Sequence, residues 1–181
     1  MNSSVPIVFE APRLTFRHRL AAHFRRSMPS LATTVAGAGC WAAVMGISAL
    51  AGLWARGWHT PGSFVSVVLL FALGAAIAFP VALTAARFVS LGCSAETAFA
   101  AAFLALSLAT VGVTSALFAL QYRQYYAAWH ADFLTITWCF QLVFTMLTAL
   151  VQFAVLGTRL FFPLGFLALF LASLWFVRQP R

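Results

Sequence analysis

Long apolar runs separated by short polar segments make up most of the chain. After a polar stretch of residues 1–30, residues 31–54 contain no charged side chain. As an α-helix this run is about 36 Å long, which is enough to cross a hydrocarbon core of roughly 30 Å. The pattern repeats along the chain. It predicts five transmembrane helices, at residues 31–54, 63–86, 95–120, 133–156 and 160–177.

The last apolar run, residues 160–177, is the shortest of the five. The segment Gly157, Thr158 and Arg159 before it is typical of a tight turn, and Pro163 then suits the first turn of a helix. We expect this run to cross the membrane as a fifth helix. A re-entrant or interfacial hairpin is the alternative, because the run is short and the turn is tight.

Composition supports the membrane interpretation. Of the 181 residues 63% are hydrophobic and 8% are charged, with a mean hydropathy of +0.95. A soluble domain would have about 25% charged residues. We therefore predict an all-α polytopic bundle, with a basic arm (1–30) followed by one transmembrane domain (31–181).

Arginine sets the expected orientation, since the chain has eleven arginines, no lysine and a net charge of +8. With a cytoplasmic N-terminus, seven arginines lie inside and four outside, in agreement with the positive-inside rule. The inner ones are Arg13, Arg17, Arg19, Arg25, Arg26, Arg87 and Arg159, and the outer ones are Arg56, Arg123, Arg178 and Arg181.

Five of the inner arginines crowd the arm next to the first apolar run, which favours contact with anionic lipid or an acidic partner over nucleic acid. Phe16, Leu20 and Phe24 recur every four residues there and suit a short interfacial helix. We expect a multi-pass protein of the bacterial inner membrane. The mitochondrial inner membrane is the alternative.

A polar stripe runs along the predicted fourth helix. At 100° per residue its five side chains fall within an arc of about 80°. They could line a pathway for a small polar solute, or they could hydrogen-bond this helix to a neighbour. The stripe consists of Thr137, Gln141, Thr145, Thr148 and Gln152.

Small residues form a second pattern, on the third and second predicted helices. Small side chains allow two helix backbones to approach closely, within the chain or at a docking surface for another subunit. On the third helix the residues are Ala98, Ala102, Ala105, Ala109, Gly112, Ala116 and Ala119; on the second they are Gly74, Ala78, Ala82 and Ala86. We predict that these faces form the closest helix pair.

Candidate chemistry is sparse. His59 and His130, both near the outer boundary, could ligate haem or a metal, although boundary histidines more often belong to the interfacial belt. Asp132 is suited to cap the fourth helix. Cys40, Cys93 and Cys139 form no C-x-x-C pair, and no nucleophile, phosphate-loop or zinc-protease motif is present. We predict neither a cofactor nor an enzyme.

The functional expectation follows from these features. We expect an accessory or assembly subunit of a larger membrane complex, which acts through helix–helix contacts with other subunits or with itself. A small-solute transporter or channel component that uses the polar stripe is the first alternative. A haem-binding redox subunit is the second.

Overall fold

The computed structural model describes residues 23–58 and 62–179, apart from the side chain of Ser63, and all secondary structure in these ranges is helical. Five α-helices form a bundle: α1 (Leu31–Ala55), α2 (Ser63–Ser90), α3 (Ala95–Tyr126), α4 (Ile136–Gln152) and α5 (Leu164–Val177). Helix α4 continues through a π-turn (Phe153–Gly157) and a 3₁₀-turn (Thr158–Phe161). The predicted all-helical class is confirmed.

Four of the helical segments are long and apolar enough to cross a membrane, namely Leu31–Ala55, Phe64–Ser90, Ala95–Trp129 and Ile136–Phe161; Leu164–Val177 is shorter. The hydroxyl of Ser30 caps α1 by accepting from the Thr33 backbone N–H, and Ser94 caps α3 in the same way. Helix α4 begins differently from the prediction. Its cap is the hydroxyl of Thr135, which accepts from the Trp138 N–H, and Asp132 offers only its backbone carbonyl to Thr135.

Helices α1, α2 and α3 run antiparallel to their neighbours in the chain, and this defines two ends of the bundle. The arm end holds Leu31, Ser90 and Ala95, and the loop end holds Ala55, Gly62 and Tyr126. Along α1 and α2, a Cβ on Gly37 would collide with the ring of Phe79, whereas Gly46 faces Ala72. Later residues of α1 therefore meet earlier residues of α2, as an antiparallel pair requires.

The direction of α5 differs from the five-span prediction. Gly165, at its start, lies against Met45 and Ser48 of α1, and Trp175, near its end, lines a groove with Thr33. Phe166 of α5 contacts Phe103 of α3, and Phe170 of α5 contacts Phe99 of α3. Helix α5 is thus antiparallel to both α1 and α3. Its last turn lies at the arm end, whereas five consecutive crossings would put it at the loop end.

Helix α4 explains the difference, because it begins at the loop end and does not reach the arm end. The Arg123 guanidinium carbon is 5.7 Å from the centre of the Trp138 ring, and Phe153 packs on Phe71 and Phe118. Phe118 is eight residues before the end of α3, about 12 Å along the axis. Length and composition alone would let residues 136–161 cross a membrane, but these contacts place the segment between the loop end and the middle of the bundle.

The helix breaks later than the sequence suggested. Gly157 has a helical φ of −67°, and a Cβ there would be 2.6 Å from the Phe153 ring, so glycine is needed for space and not for a turn. The helical path continues to Phe161, and the break follows at Phe162 and Pro163. The predicted turn at residues 157–159 is therefore wrong by about one helical turn.

Candidate functional site

The break between α4 and α5 is docked on α1 by the side chain of Ser48. Ser48 is buried; its hydroxyl donates to the Leu160 carbonyl at 3.0 Å and accepts from the Gly165 backbone N–H at 3.0 Å. Non-helical backbone at membrane depth is tolerated only when its polar groups are satisfied by protein. Ser48 supplies both partners and so allows the chain to turn within the bundle.

Arg56 completes this contact at the loop end. Its guanidinium donates from Nη1 to the Gly52 carbonyl at 3.0 Å and from Nη2 to the Arg159 carbonyl at 3.2 Å. The second bond joins residues 103 positions apart in the chain. The bond joins the side chain of Arg56, which directly follows α1, to the backbone of Arg159 on the 3₁₀-turn, and both arginine side chains are exposed.

Next to this turn lies a partly enclosed, almost entirely apolar cavity of about 250 Å³. Trp41 and Met45 of α1 line one side, and Thr158, Phe161 and Phe166 line the other. A buried hydrogen bond of 2.9 Å from the Trp41 indole N–H to the Thr110 hydroxyl closes part of the wall. We call this space the turn cavity.

The polar stripe of α4 divides into two parts. Gln141 and Thr145 are half-buried against the loop after α3: the Gln141 Oε1 accepts from the Ala131 N–H at 2.8 Å, and the Thr145 hydroxyl lies 3.2 Å from the His130 Nε2. The other members, Thr137, Thr148 and Gln152, are exposed, and Gln152 lines a second cavity of about 210 Å³ beside Trp58 and Phe71. The stripe holds a loop at the loop end and does not extend toward the arm end.

The small-residue seam follows a partly different path from the predicted one. Ala98 and Ala102 of α3 are fully buried, as are Ala78 and Ala82 of α2. Beyond Ala102 the buried face continues every four residues through Leu106, Thr110 and Thr114, and Gly74 faces Thr114. Ala105 and Ala109 are half-buried, Gly112 and Ala116 are exposed, and Ala86 and Ala119 are buried. The contact therefore follows rows of four-residue spacing and not the alternating three-and-four pattern.

The end of the arm is attached to α2. The Nε2 of His23 lies 2.9 Å from the Phe88 carbonyl, to which its N–H donates, and the His23 ring packs edge-on against Phe88. Arg25 and Arg26 are exposed beside it. Arg13, Arg17 and Arg19, with Phe16 and Leu20, lie outside the described residues, so the predicted interfacial helix of the arm stays a prediction.

Only one of the two haem and metal candidates, His130, lies in the described part of the chain. His59 lies outside the described residues, and His130 is engaged with Thr145. Within residues 23–58 and 62–179 no group of three or more His, Cys, Asp or Glu side chains could hold a metal ion. The three cysteines are free and exposed.

Sequence reasoning missed Ser48, Arg56 and the Trp41–Thr110 pair. Serine within an apolar helix is common, and nothing in its spacing marks it as a partner for a turn 112 residues later. The signal that was available is the spacing of Trp41, Met45, Ser48, Gly52 and Arg56, which recur every three or four residues on one face of α1. Comparison of the chain with protein-family models, characterised proteins and solved structures gives no match.

Proposed function

We propose that this chain is an accessory or assembly subunit of a membrane complex, with four membrane crossings and both termini in the cytoplasm. In this topology α1, α2 and α3 cross the membrane, α4 enters the bundle from the outer end, and α5 completes the fourth crossing. The antiparallel contacts of α5 with α1 and α3 support the count of four. A bacterial inner membrane is the expected location.

The arginine distribution agrees with this topology better than with five crossings. Arg178 and Arg181 move to the inside and Arg159 moves to the outside, so eight arginines lie inside and three outside. The positive-inside rule therefore favours the same orientation more strongly. The basic arm then lies at the surface where anionic lipid attracts it by about 1 kcal/mol per arginine.

One surface carries the proposal of a subunit role. Trp129, Phe133, Leu134, Ile136 and Phe140 are 62–78% exposed and lie close together in sequence beyond the end of α3. We call them the loop-end patch. Exposed apolar patches mark contacts with protein or membrane, and this one lies at the outer rim, where the lipid hydrocarbon ends.

The backbone at the centre of the patch supports a binding role. Leu134 has a φ of +65°, a left-handed conformation that costs a leucine about 1–2 kcal/mol. The residue is 71% exposed, so packing of its side chain within the chain offsets little of this conformational cost. Strain of this kind persists at positions used for binding.

The bundle interior favours an interaction role over transport. In the described part of the chain the buried polar side chains are all hydroxyls, at Ser27, Ser48, Ser90, Thr110, Thr114 and Ser173. Ion and proton routes in membranes usually contain charged side chains. The polar stripe, on which the transport alternative depended, stays near one end of the bundle and provides no path across it.

Native electrophoresis of membranes solubilised in mild detergent tests the subunit role. We expect the tagged wild-type chain in a discrete species larger than the chain alone. Leu134→Asn should release it, because asparagine accepts left-handed φ values but removes the apolar side chain. Leu69→Asn is the matched control, since Leu69 is 54% exposed on the lipid-facing side of α2.

Photo-crosslinking then identifies what the patch contacts. A photoreactive phenylalanine analogue at Phe133 should give one protein adduct, and the same analogue at Leu69 should give lipid adducts only. Migration of the wild type as the chain alone, with no protein adduct at Phe133, would refute the subunit role. Equal release by both asparagine variants would show that the patch is not the contact.

A further inference from the structure

The break between α4 and α5 places positive charge beside the turn cavity. The Arg56 guanidinium lies 3.2 Å from the carbonyl of Arg159, and Arg159 directly follows Thr158, which lines the cavity. Among the described residues, the loop end has three arginines, at positions 56, 123 and 159, and one carboxylate, Asp132. This end therefore has an excess of positive charge with an apolar space directly below it.

The Arg56 guanidinium is held in a fixed orientation. Two of its five N–H donors are used on backbone carbonyls of α1 and of the 3₁₀-turn, so the planar group is oriented and the remaining donors are available. The Arg159 side chain is exposed at the same rim. The Arg56 guanidinium, with a second guanidinium carried by the residue whose carbonyl it binds, would suit a phosphate, which arginine binds through paired N–H donors.

The turn cavity is suited to a hydrocarbon chain. At about 250 Å³ it exceeds the roughly 150 Å³ of an apolar cavity that holds benzene. Its walls are the apolar side chains of Met45, Leu106, Phe161, Phe166 and Leu169, and its only buried polar pair, Trp41 and Thr110, is already satisfied internally. A water molecule in this cavity would find few hydrogen-bond partners, whereas the methylene groups of an acyl chain would pack against its apolar walls.

We propose that the chain binds one phospholipid at this place. The phosphate contacts Arg56 and Arg159, and one acyl chain enters the turn cavity. The lipid belongs to the leaflet at the loop end, which is the outer leaflet in the proposed topology. The lipid would cover the outer side of the turn, whereas Ser48 binds the inner side of the turn. The lipid would then be part of the contact between α1 and α5.

The test uses the full chain, purified in mild detergent and washed free of lipid. Phosphatidylglycerol with two oleoyl chains is added, and native mass spectrometry counts the bound molecules while the thermal midpoint is recorded. We expect one saturable lipid per chain and a raised midpoint. Glycerol 3-phosphate, which lacks chains, and dioleoylglycerol, which lacks phosphate, should each bind at least about tenfold more weakly.

Two variants separate the phosphate contact from the cavity. Arg159→Gln removes one cation and leaves the backbone carbonyl that Arg56 uses, and should weaken lipid binding about tenfold. Ser107→Phe fills the cavity from α3 and should abolish the saturable lipid. The controls are Arg178→Gln, at the arm end, and Ser115→Phe, since Ser115 is half-buried on α3 and bonds its own helix as Ser107 does.

Several outcomes would overturn the proposal. Equal binding by Arg159→Gln and Arg178→Gln would mean that the phosphate is not held at the turn. Tight binding of glycerol 3-phosphate would indicate a site for free phosphate, and tight binding of dioleoylglycerol would indicate an apolar site only. If Ser107→Phe and Ser115→Phe bind lipid alike, the bound molecules are ordinary surface lipid.

Discussion

Gly74 of α2 lies so close to Thr114 of α3 that no side chain could be placed between the two helices. A Cβ built on Gly74 would meet the Thr114 hydroxyl and would be 2.9 Å from the Thr114 Cα. The Thr114 side chain is fully buried, and its hydroxyl has no hydrogen-bond partner among the described residues. The two helices therefore approach closely at a point where one buried hydroxyl has no hydrogen-bond partner.

Gly74→Ala should destabilise the bundle by about 1–3 kcal/mol, because the added methyl group forces the backbones of α2 and α3 apart. Unfolding by a denaturing detergent, followed by circular dichroism, measures the change. Gly112→Ala on α3 is the control: nothing lies within 4 Å of its Cβ position. It should be neutral or stabilise by up to about 1 kcal/mol. Equal effects of the two would contradict the close contact.

Ser48→Ala should lower stability by about 1–3 kcal/mol, since it leaves the Leu160 carbonyl and the Gly165 N–H without partners away from water. The same unfolding measurement applies. Ser173→Ala provides a matched control, because Ser173 is equally buried but bonds only to the Leu169 carbonyl of its own helix. A loss no larger than that of the control would argue against docking of the turn by Ser48.

A reporter fused after Arg181 should give the same compartment as a reporter fused at the N-terminus, because α5 ends at the arm end of the bundle. Paired fusions to a fluorescent protein and to a phosphatase distinguish the two sides of the membrane. A third fusion, within the loop at Ala128, is the control and should report the opposite side. Opposite results for the two termini would restore the five-crossing topology.

Gln141→Leu should release the loop after α3 without unfolding the bundle, since the amide oxygen of Gln141 holds the Ala131 N–H. Hydrogen exchange of residues 127–135 should accelerate, while the detergent midpoint of unfolding changes little. Thr148→Val is the control, since Thr148 is exposed on the same stripe. Unchanged exchange in the loop would mean that this hydrogen bond does not hold it.

The helical class and the bounds of α1 follow from the apolar pattern, because each helix must bury or lipid-solvate its whole surface. The path of the chain after Tyr126 does not follow from that pattern. Residues 136–161 have the length and composition of a crossing, and only their contacts, such as Phe153 with Phe71, place them between the loop end and the middle of the bundle. Hydropathy measures transfer into lipid and is insensitive to where a helix lies once it is there.

The candidate sites show the same limit. The polar stripe was visible as a pattern, but its partners, His130 and Ala131, are in a loop whose path no periodicity specifies. Ser48 and Arg56 were overlooked because their partners are backbone atoms of a distant turn. A sequence pattern displays side-chain types, whereas these bonds depend on which carbonyls and amides a helix leaves free.

The bonds from Ser48 and Arg56 to the last turn also have a consequence for biogenesis. Helix α1 is synthesised more than a hundred residues before the segment that satisfies Ser48 and Arg56, so its face from Ser48 to Arg56 stays uncovered while α2 and α3 are made. A nascent or truncated chain that lacks α5 exposes this polar-edged face within the membrane. This uncovered face is therefore a structural difference between an unfinished copy of the chain and a complete one.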